Sequence, residues 1–275
     1  LVRIREHRHA ENVIGLMVAR ITRLPTQTRV FLGQMACMGS SVDLPTLCRV
    51  TQVEKKSLCR HLAPAVEAGL LVEDHQGYAF YHDRVQEAAC ELIAPEARPA
   101  EHVRIARILM ADAYPEGLEP QRRAESIFSI ASHLQRILPE DCFEAEREPF
   151  CELLIRAAQQ ALESAAIDAA LGYVHTAATL IGKSCWERCP ELARELGFVH
   201  AQCLLLEGEF EPAGRVVDEL LNHVHGVVER AAIYVLKVEL LVLACRYEDA
   251  VATAGEGLRL FGIHIPAHVT DMDVE

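Results

Sequence analysis

Between Leu70 and Tyr81 the sequence leaves the three- and four-residue apolar spacing that it follows almost everywhere else. Two short apolar stretches, Leu70-Leu71-Val72 and Tyr78-Ala79-Phe80-Tyr81, flank the polar tip Glu73-Asp74-His75-Gln76-Gly77. Such runs, around a glycine able to take positive φ, predict a β-hairpin, and strand is expected almost nowhere else. What surrounds the hairpin reads as helix. Val13, Leu16, Met17 and Ile21 form one apolar stripe from Asn12 to Leu24, ended by Pro25. A second helix carries Val30, Phe31 and Met35 from Thr26 to Gly39. Asp43 and Pro45 start a short third with Leu44, Leu47 and Val50, and Glu54 to Ala68 carries Leu58, Leu62, Ala65 and Val66. Three helices after Pro25 and then a hairpin is the order of a winged helix.

Asp83 is expected to cap the next helix, with Gln86 at the capping-box position and Val85, Ala88, Ala89 and Leu92 on one face. Pro95 and Pro99 are expected to break it, with helices following near 100–113 and 121–137. From about residue 148 the helices come in pairs. Glu207-Gly208-Glu209-Phe210-Glu211-Pro212-Ala213 and Cys245-Arg246-Tyr247-Glu248-Asp249-Ala250 superpose at an offset of 37 residues, Ala213 on Ala250. A weaker copy surrounds Ile167-Asp168-Ala169-Ala170. Small residues where two helices cross, at a period in the thirties, predict tetratricopeptide-like repeats over an ordinary helical bundle.

Composition agrees and removes several classes. A chain of 275 residues exceeds what one core usually serves, and with 51% hydrophobic residues, 5% aromatics and 15 glycines it favours helix over a β-sandwich. Residues 1–138 hold 17 Lys/Arg against 16 Asp/Glu, whereas residues 139–275 hold 10 against 24. The acidic half repels phosphate backbones, so proteins are the expected partners and nucleic acid is not. The ten cysteines include no C-x-x-C, and Cys185 with Cys189 lacks a second pair at zinc spacing, so neither metal nor a disulfide framework is expected, in a reducing cytoplasmic compartment. The longest apolar stretch, Ala231 to Cys245, contains Lys237 and Glu239 and is too short for a membrane span. The chain opens at Leu1 in a basic run with Arg3, Arg5 and Arg8, and is expected to be part of a longer protein.

No phosphate loop or catalytic motif is present: the one Gly-Lys pair, Gly182-Lys183, lacks the upstream glycine. The segment is therefore expected not to be an enzyme. His61, His133 and His200 fall within helices and read as packed or surface side chains, His7 and His9 as surface, and His223 and His225 as unable to share a helix face. For DNA, the recognition helix offers Lys55, Lys56 and Arg60, yet residues 43–84 carry five Lys/Arg against six Asp/Glu. That balance, with Glu73-Asp74 at the wing tip, opposes duplex binding.

One constellation remains. His82-Asp83 stands between the second hairpin strand and a helix start, where backbone N–H groups are unpaired and can meet a phosphate presented by another domain. The alternative leaves Asp83 as a helix cap and His82 as a surface strand end.

Several strings resemble the region that follows the ATPase core in STAND-type signalling ATPases. They are Leu24-Pro25-x-x-Thr28, Ala36-Cys37-x-Gly39, Ala68-Gly69-Leu70 and Phe80-x-His82-Asp83-Arg84-Val85-Gln86-x-Ala88-Ala89. The likeness continues through His102-x-x-Ile105-x-Arg107 and Ile127-Phe128-x-Ile130-x-x-His133-Leu134. It is similar above all to large bacterial hybrid sensor kinases that join a protein-kinase-like domain, an AAA-type ATPase, helical repeats, sensor domains and a histidine kinase. The resemblance implies that His82 and Asp83 sense a nucleotide phosphate, with Tyr81 where plant and animal relatives often have methionine. It also implies ATP or ADP with Mg in the parent protein, though no cofactor in this segment. The implied partners are an upstream nucleotide-binding domain and a protein or ligand on the repeat groove. No Walker A lysine, Walker B acid or sensor arginine has a counterpart here.

The fold class expected is mainly α, a winged helix with a small β-hairpin followed by a TPR-like α-helical superhelix. The boundaries read are 1–24 for a terminal helix of an ATPase lid, 25–95 for the winged helix, 96–138 for connecting helices and 139–275 for repeats. The function expected is regulatory coupling of nucleotide state to the repeat surface, in a cytoplasmic two-component signalling protein. The alternatives are a transcription-regulator segment with a DNA-binding winged helix and a stand-alone TPR scaffold.

Overall fold

The computed structural model describes residues 14–112 and 120–264, without the side chains of residues 112–125. The expectations for Asn12 and Val13, for His7 and His9, and for the basic run at Arg3 lie outside the described residues. The chain divides into two compact units, Leu1–Cys142 and Phe143–Glu275. The fold is mainly α, a winged helix with a small sheet followed by TPR-like helix pairs.

In the first unit, helix α1 (residues 14–22) precedes α2 (Thr26–Met38), β1 (Ser41–Asp43), α3 (Leu44–Thr51) and α4 (Lys55–Glu67). Then come β2 (Leu71–Glu73), β3 (Gly77–Phe80), α5 (Asp83–Cys90), α6 (Arg98–Asp112) and α7 (Pro120–Leu134). The starts and stops follow the side chains. Gly39, at φ 142°, ends α2, and the Asp43 carboxylate accepts the Thr46 N–H at 2.8 Å to open α3, with Pro45 in the first turn. The apolar stripes then meet: Phe31, Leu32, Met35, Leu47, Leu58, Leu62, Tyr78 and Phe80 form one core, to which α1 contributes the fully buried Ile21. Each such side chain contributes roughly 1.5–3 kcal/mol by leaving water.

Three expectations need correction here. The sheet has three strands in the order β1-β3-β2, because Ser41–Asp43 pairs antiparallel with β3, Val42 opposite Tyr78. Three residues are too few to show the two-residue alternation that marks a strand. Gly77 is not at positive φ; it is required for a different reason. A Cβ there would collide with the Val42 carbonyl oxygen and lie 2.7 Å from the Asp43 Cα, so the close approach of β1 is what demands glycine. The hairpin turn is held instead by Asp74, whose carboxylate accepts the Gln76 and Gly77 N–H groups, each at 2.8 Å. Pro99 also fails to break a helix, since it sits at the second position of α6, where no N–H is needed.

The second unit contains α8 (Glu144–Glu163), α9 (Ile167–Ile181), α10 (Cys185–Arg188), α11 (Pro190–Glu207), α12 (Phe210–His223), α13 (Val227–Leu243) and α14 (Tyr247–Arg259). Helices α8/α9, α11/α12 and α13/α14 form antiparallel pairs closed by one recurring turn. A left-handed residue, Ala165, Gly208 or Cys245, ends each first helix at φ 57°, 85° and 59°. The next residue, Ala166, Glu209 or Arg246, donates its N–H five residues back at 2.8, 2.9 and 2.8 Å. One turn later stand Ala170, Ala213 and Ala250, exposed by 0%, 0% and 4%. Ala213 to Ala250 spans the 37 residues read from the sequence, while Ala170 to Ala213 spans 43 because α10 intervenes. That insertion is pinned to α12: the Trp186 ring stacks on His223 at 4.5 Å and its Nε1–H donates to Glu219 at 2.9 Å. His223 is the last residue of α12, so His225 lies beyond the helix.

Candidate functional site

The wing strand β3 delivers the chain to α5 through three exposed residues, Tyr81, His82 and Asp83. Tyr81 closes the ladder by donating its N–H to Leu70 O at 3.0 Å, while its ring is 70% exposed. His82 then takes an extended backbone, φ −156° and ψ 147°, and occupies the capping position that was expected of Asp83. Its Nδ1 accepts the Arg84 N–H at 3.1 Å, and its carbonyl accepts the N–H groups of Val85 at 2.8 Å and Gln86 at 3.4 Å. Asp83 is instead the first helical residue, where its carboxylate complements the positive end of the helix dipole. The ring wins because the chain leaves β3 extended for one residue more, which places His82, not Asp83, just ahead of the first helical turn.

This cap changes the chemistry of the junction. The N–H groups of Arg84, Val85 and Gln86 are already satisfied, so they do not form an open cradle for an anion. An Nδ1 that accepts a hydrogen bond carries no proton, so the neutral ring bears its hydrogen on Nε2. The exposed junction thus presents one oriented imidazole N–H donor. The helix behind it is rigidly seated: Val85, Ala88 and Ala89 are buried, Gln86 Nε2 donates to Ala36 O at 3.2 Å, and Arg84 pairs with Glu87 at 2.7 Å.

The face considered for DNA is less favourable than a helix in isolation suggests. Lys55, Lys56 and Arg60 are exposed on α4, but Glu73 and Asp74 are exposed on the wing of the same module. Asp74 is fixed in place by the turn it closes, and those two N–H donors hold its carboxyl below the usual carboxylate range.

In the second unit a cavity of about 970 Å³ opens along α8 and α11, lined by Glu148, Glu152, Arg156, Arg188, Glu195 and Gln202. It is polar and carries both signs of charge. A smaller apolar groove of about 350 Å³ runs along α13 and α14 past Tyr234, Val235, Val238 and Phe261.

The histidines read as packed are accounted for by their neighbours. His61 lies edge-on to Phe31 at 5.7 Å and His200 edge-on to His175 at 5.7 Å. His133 meets His102 ring to ring, a pairing not foreseen, since the two lie 31 residues apart on different helices. Among the described residues no three His, Cys, Asp or Glu side chains gather as metal ligands, and no helix is long and apolar enough to cross a membrane.

No known protein family and no curated protein matches the chain. Among solved structures it is similar to the crystal structure of a signal transduction ATPase with numerous domains (STAND) that carries a tetratricopeptide repeat sensor, from Pyrococcus horikoshii. The identity is 11% and the TM-score 0.35, over 88% of this chain and 39% of that one. The chain thus spans about two-fifths of the length of that protein.

Proposed function

We propose that this chain is a regulatory segment of a multidomain signalling ATPase of the hybrid sensor kinase kind, coupling nucleotide state to a protein-binding helical repeat. The observation that carries the reading is the His82 cap: with Nδ1 engaged by Arg84, the Nε2–H points its donor capacity at whatever faces the junction. That donor fits one contact to a phosphate oxygen. It does not amount to a nucleotide site, so the rest of the ATP or ADP site, with its Mg, belongs to an upstream nucleotide-binding domain. In this reading the segment is not itself an enzyme. Asp83, whose carboxylate only accepts hydrogen bonds when ionised, steadies the helix start and repels a misplaced phosphate. A hydrogen bond to a charged oxygen contributes roughly 1.5–3 kcal/mol, so making it in one state alone shifts the closed-to-open ratio about ten- to a hundred-fold. The mixed-charge cavity along α8 and α11 is the surface on which a polar protein segment would bias the same equilibrium.

The test is made in the full-length parent. His82→Asn keeps an acceptor for the Arg84 N–H and removes the imidazole donor, whereas His82→Ala removes both. Both variants are expected to release ADP about ten- to a hundred-fold faster than the parent and to raise signalling output. ADP affinity and output unchanged in both would leave His82 as a helix cap and nothing more.

A further inference from the structure

Helix pairs α11/α12 and α13/α14 can be compared position by position at the 37-residue offset. Packing at the helix crossing bears out that register. A Cβ on Gly197 would lie 2.9 Å from Leu220 Cδ2, and a Cβ on Gly257 would lie 3.1 Å from Tyr234 Cβ. Gly197 corresponds to Tyr234 and Leu220 to Gly257, so each pair sets one glycine against one large side chain at the same place, with the roles exchanged. Positions that close a pair on itself are buried in both, as are Leu196 with Ile233 and Leu204 with Leu241. Positions on the far side are not. Leu205 is 8% exposed and its counterpart Val242 43%; Val224 is 7% exposed and its counterpart Phe261 55%. The difference is a neighbour: α13 packs on α11 and α12, whereas no helix follows α14 among the described residues.

The groove of about 350 Å³ along α13 and α14 lies on this uncovered side. It passes over Gly257, where the counterpart Leu220 carries a side chain, between Val235, Val238, Leu258 and Phe261. A helical array that ends against water ends in a polar face, and this face is apolar. The seating of α13 on α12 specifies what fits. Arg230 donates through Nη1 to the Leu221 and Val224 carbonyls at 2.7 and 3.0 Å, where α12 ends, and Lys237 donates to Asp218 at 2.9 Å. These two cations, seven residues apart, mark one stripe of α13, on which Ile233 and Leu240 are buried. Helix α14 offers similar terms: an apolar strip, a C-terminal end whose dipole favours a cation, and Glu239 as the charged residue of the groove wall. We propose that the α13/α14 face docks an amphipathic helix of a partner protein, laid across it as α13 is laid across α12, with a cation in its first turn and an apolar stripe behind it. Asp218 has Gly255 as its counterpart, so no second cation is required. The proposal rests on the protein-binding reading of the repeats and moves it to a second surface; His82 and the cavity along α8 and α11 take no part.

The probe is a fluorescein-labelled peptide copying residues 226–244, which keeps Arg230, Ile233, Lys237 and Leu240. For solubility it carries Val228→Gln, Val235→Gln and Val242→Gln, all at exposed positions of α13. The whole 275-residue chain is titrated into it and binding is read by anisotropy. Saturable binding in the micromolar range is expected. Val235→Glu or Phe261→Glu in the chain is expected to weaken it about ten-fold, as is Arg230→Glu in the peptide. Both chain positions are exposed, so the melting temperature is expected to stay unchanged, and either variant suffices if the other fails to fold. Glu152→Arg, in the cavity along α8 and α11, is expected to leave binding unaltered. Loss of binding in Glu152→Arg, with Val235→Glu and Phe261→Glu silent, overturns the proposal but leaves the repeats a protein-binding element. Absence of saturable binding, or binding indifferent to all three chain variants, overturns it too. A dimer of the chain alone, seen by light scattering and dissolved by Val235→Glu and Phe261→Glu, would make a second copy the occupant and overturn it as well.

Discussion

The Nδ1 atoms of His102 and His133 lie 2.9 Å apart, joining α6 to α7 inside the first unit. One of them donates and the other accepts, so one Nδ1 carries a proton and the other does not. With 4% and 2% exposure, both rings lose most of the hydration that would support an imidazolium. Burial, aided by the Arg136 guanidinium, lowers His102 to about 4. Burial, with His102 and Arg136 adding to it, lowers His133 to about 3.

Unfolding restores both rings to the ordinary range near 6.5, so below that pH the unfolded chain binds more protons than the folded one. Stability is full above about pH 6.5 and falls as the pH drops toward the folded values near 4 and 3. The slope is at most about 1.4 kcal/mol per pH unit for each ring. Urea midpoints between pH 7.5 and 5 are expected to fall in the unaltered chain and to fall less in the double variant His102→Leu/His133→Leu. Parallel curves for the two proteins would count against a neutral pair.

Gly77→Ala drives a Cβ into the Val42 carbonyl and the Asp43 Cα, which are backbone and cannot rotate aside. Loss of about 1–3 kcal/mol is expected, read from chemical denaturation. Gly214→Ala, in α12 with nothing within 4 Å of the new carbon, is expected to gain roughly 0.5–1 kcal/mol. Equal effects at the two positions would show that β1 gives way.

The three repeat turns differ in who occupies the left-handed position. Cys245 and Ala165 bear a side chain there, and Gly208 does not. Cys245→Gly is expected to raise stability by up to about 1 kcal/mol, and Gly208→Ala to lower it by about 1–2 kcal/mol. Thermal melts of both variants check the pair, and opposite signs are the outcome required.

Removing the ring that caps α5 also has a cost unrelated to any ligand. His82→Ala leaves the Arg84 N–H without its acceptor and is expected to lose about 0.5–2 kcal/mol, which His82→Asn or His82→Ser restores. A thermal shift common to all three variants would mean that the cap contributes nothing.

Duplex DNA is expected to bind only weakly and without sequence preference, because the acids of the wing stand beside the cations of α4. Fluorescence anisotropy at moderate salt reads this out. A specific site bound at nanomolar strength, and lost on replacing Lys55, Lys56 and Arg60, would instead make this winged helix a DNA reader.

Most helices of the chain are legible because their information is local. The stripe of Leu58, Leu62 and Ala65, the cap at Asp43 and the left-handed stop at Gly208 each act within a turn or two, so the residues alone determine where helices run and which side they bury. The match of Ala213 to Ala250 was equally readable, because a repeated turn imposes the same small residue wherever two helices cross. What tertiary structure decided lies where distant segments meet. Strand β1 exists only because β3 offers it a ladder, and Gly77 is needed only because β1 then passes so near. His82 displaced Asp83 as the cap because the exit angle of β3 set the first helical residue. The contact His102–His133 joins residues 31 positions apart, set by the packing of α6 on α7. Periodicity states which face a helix buries; the identity of the side chain waiting there depends on a register that only the packed core defines.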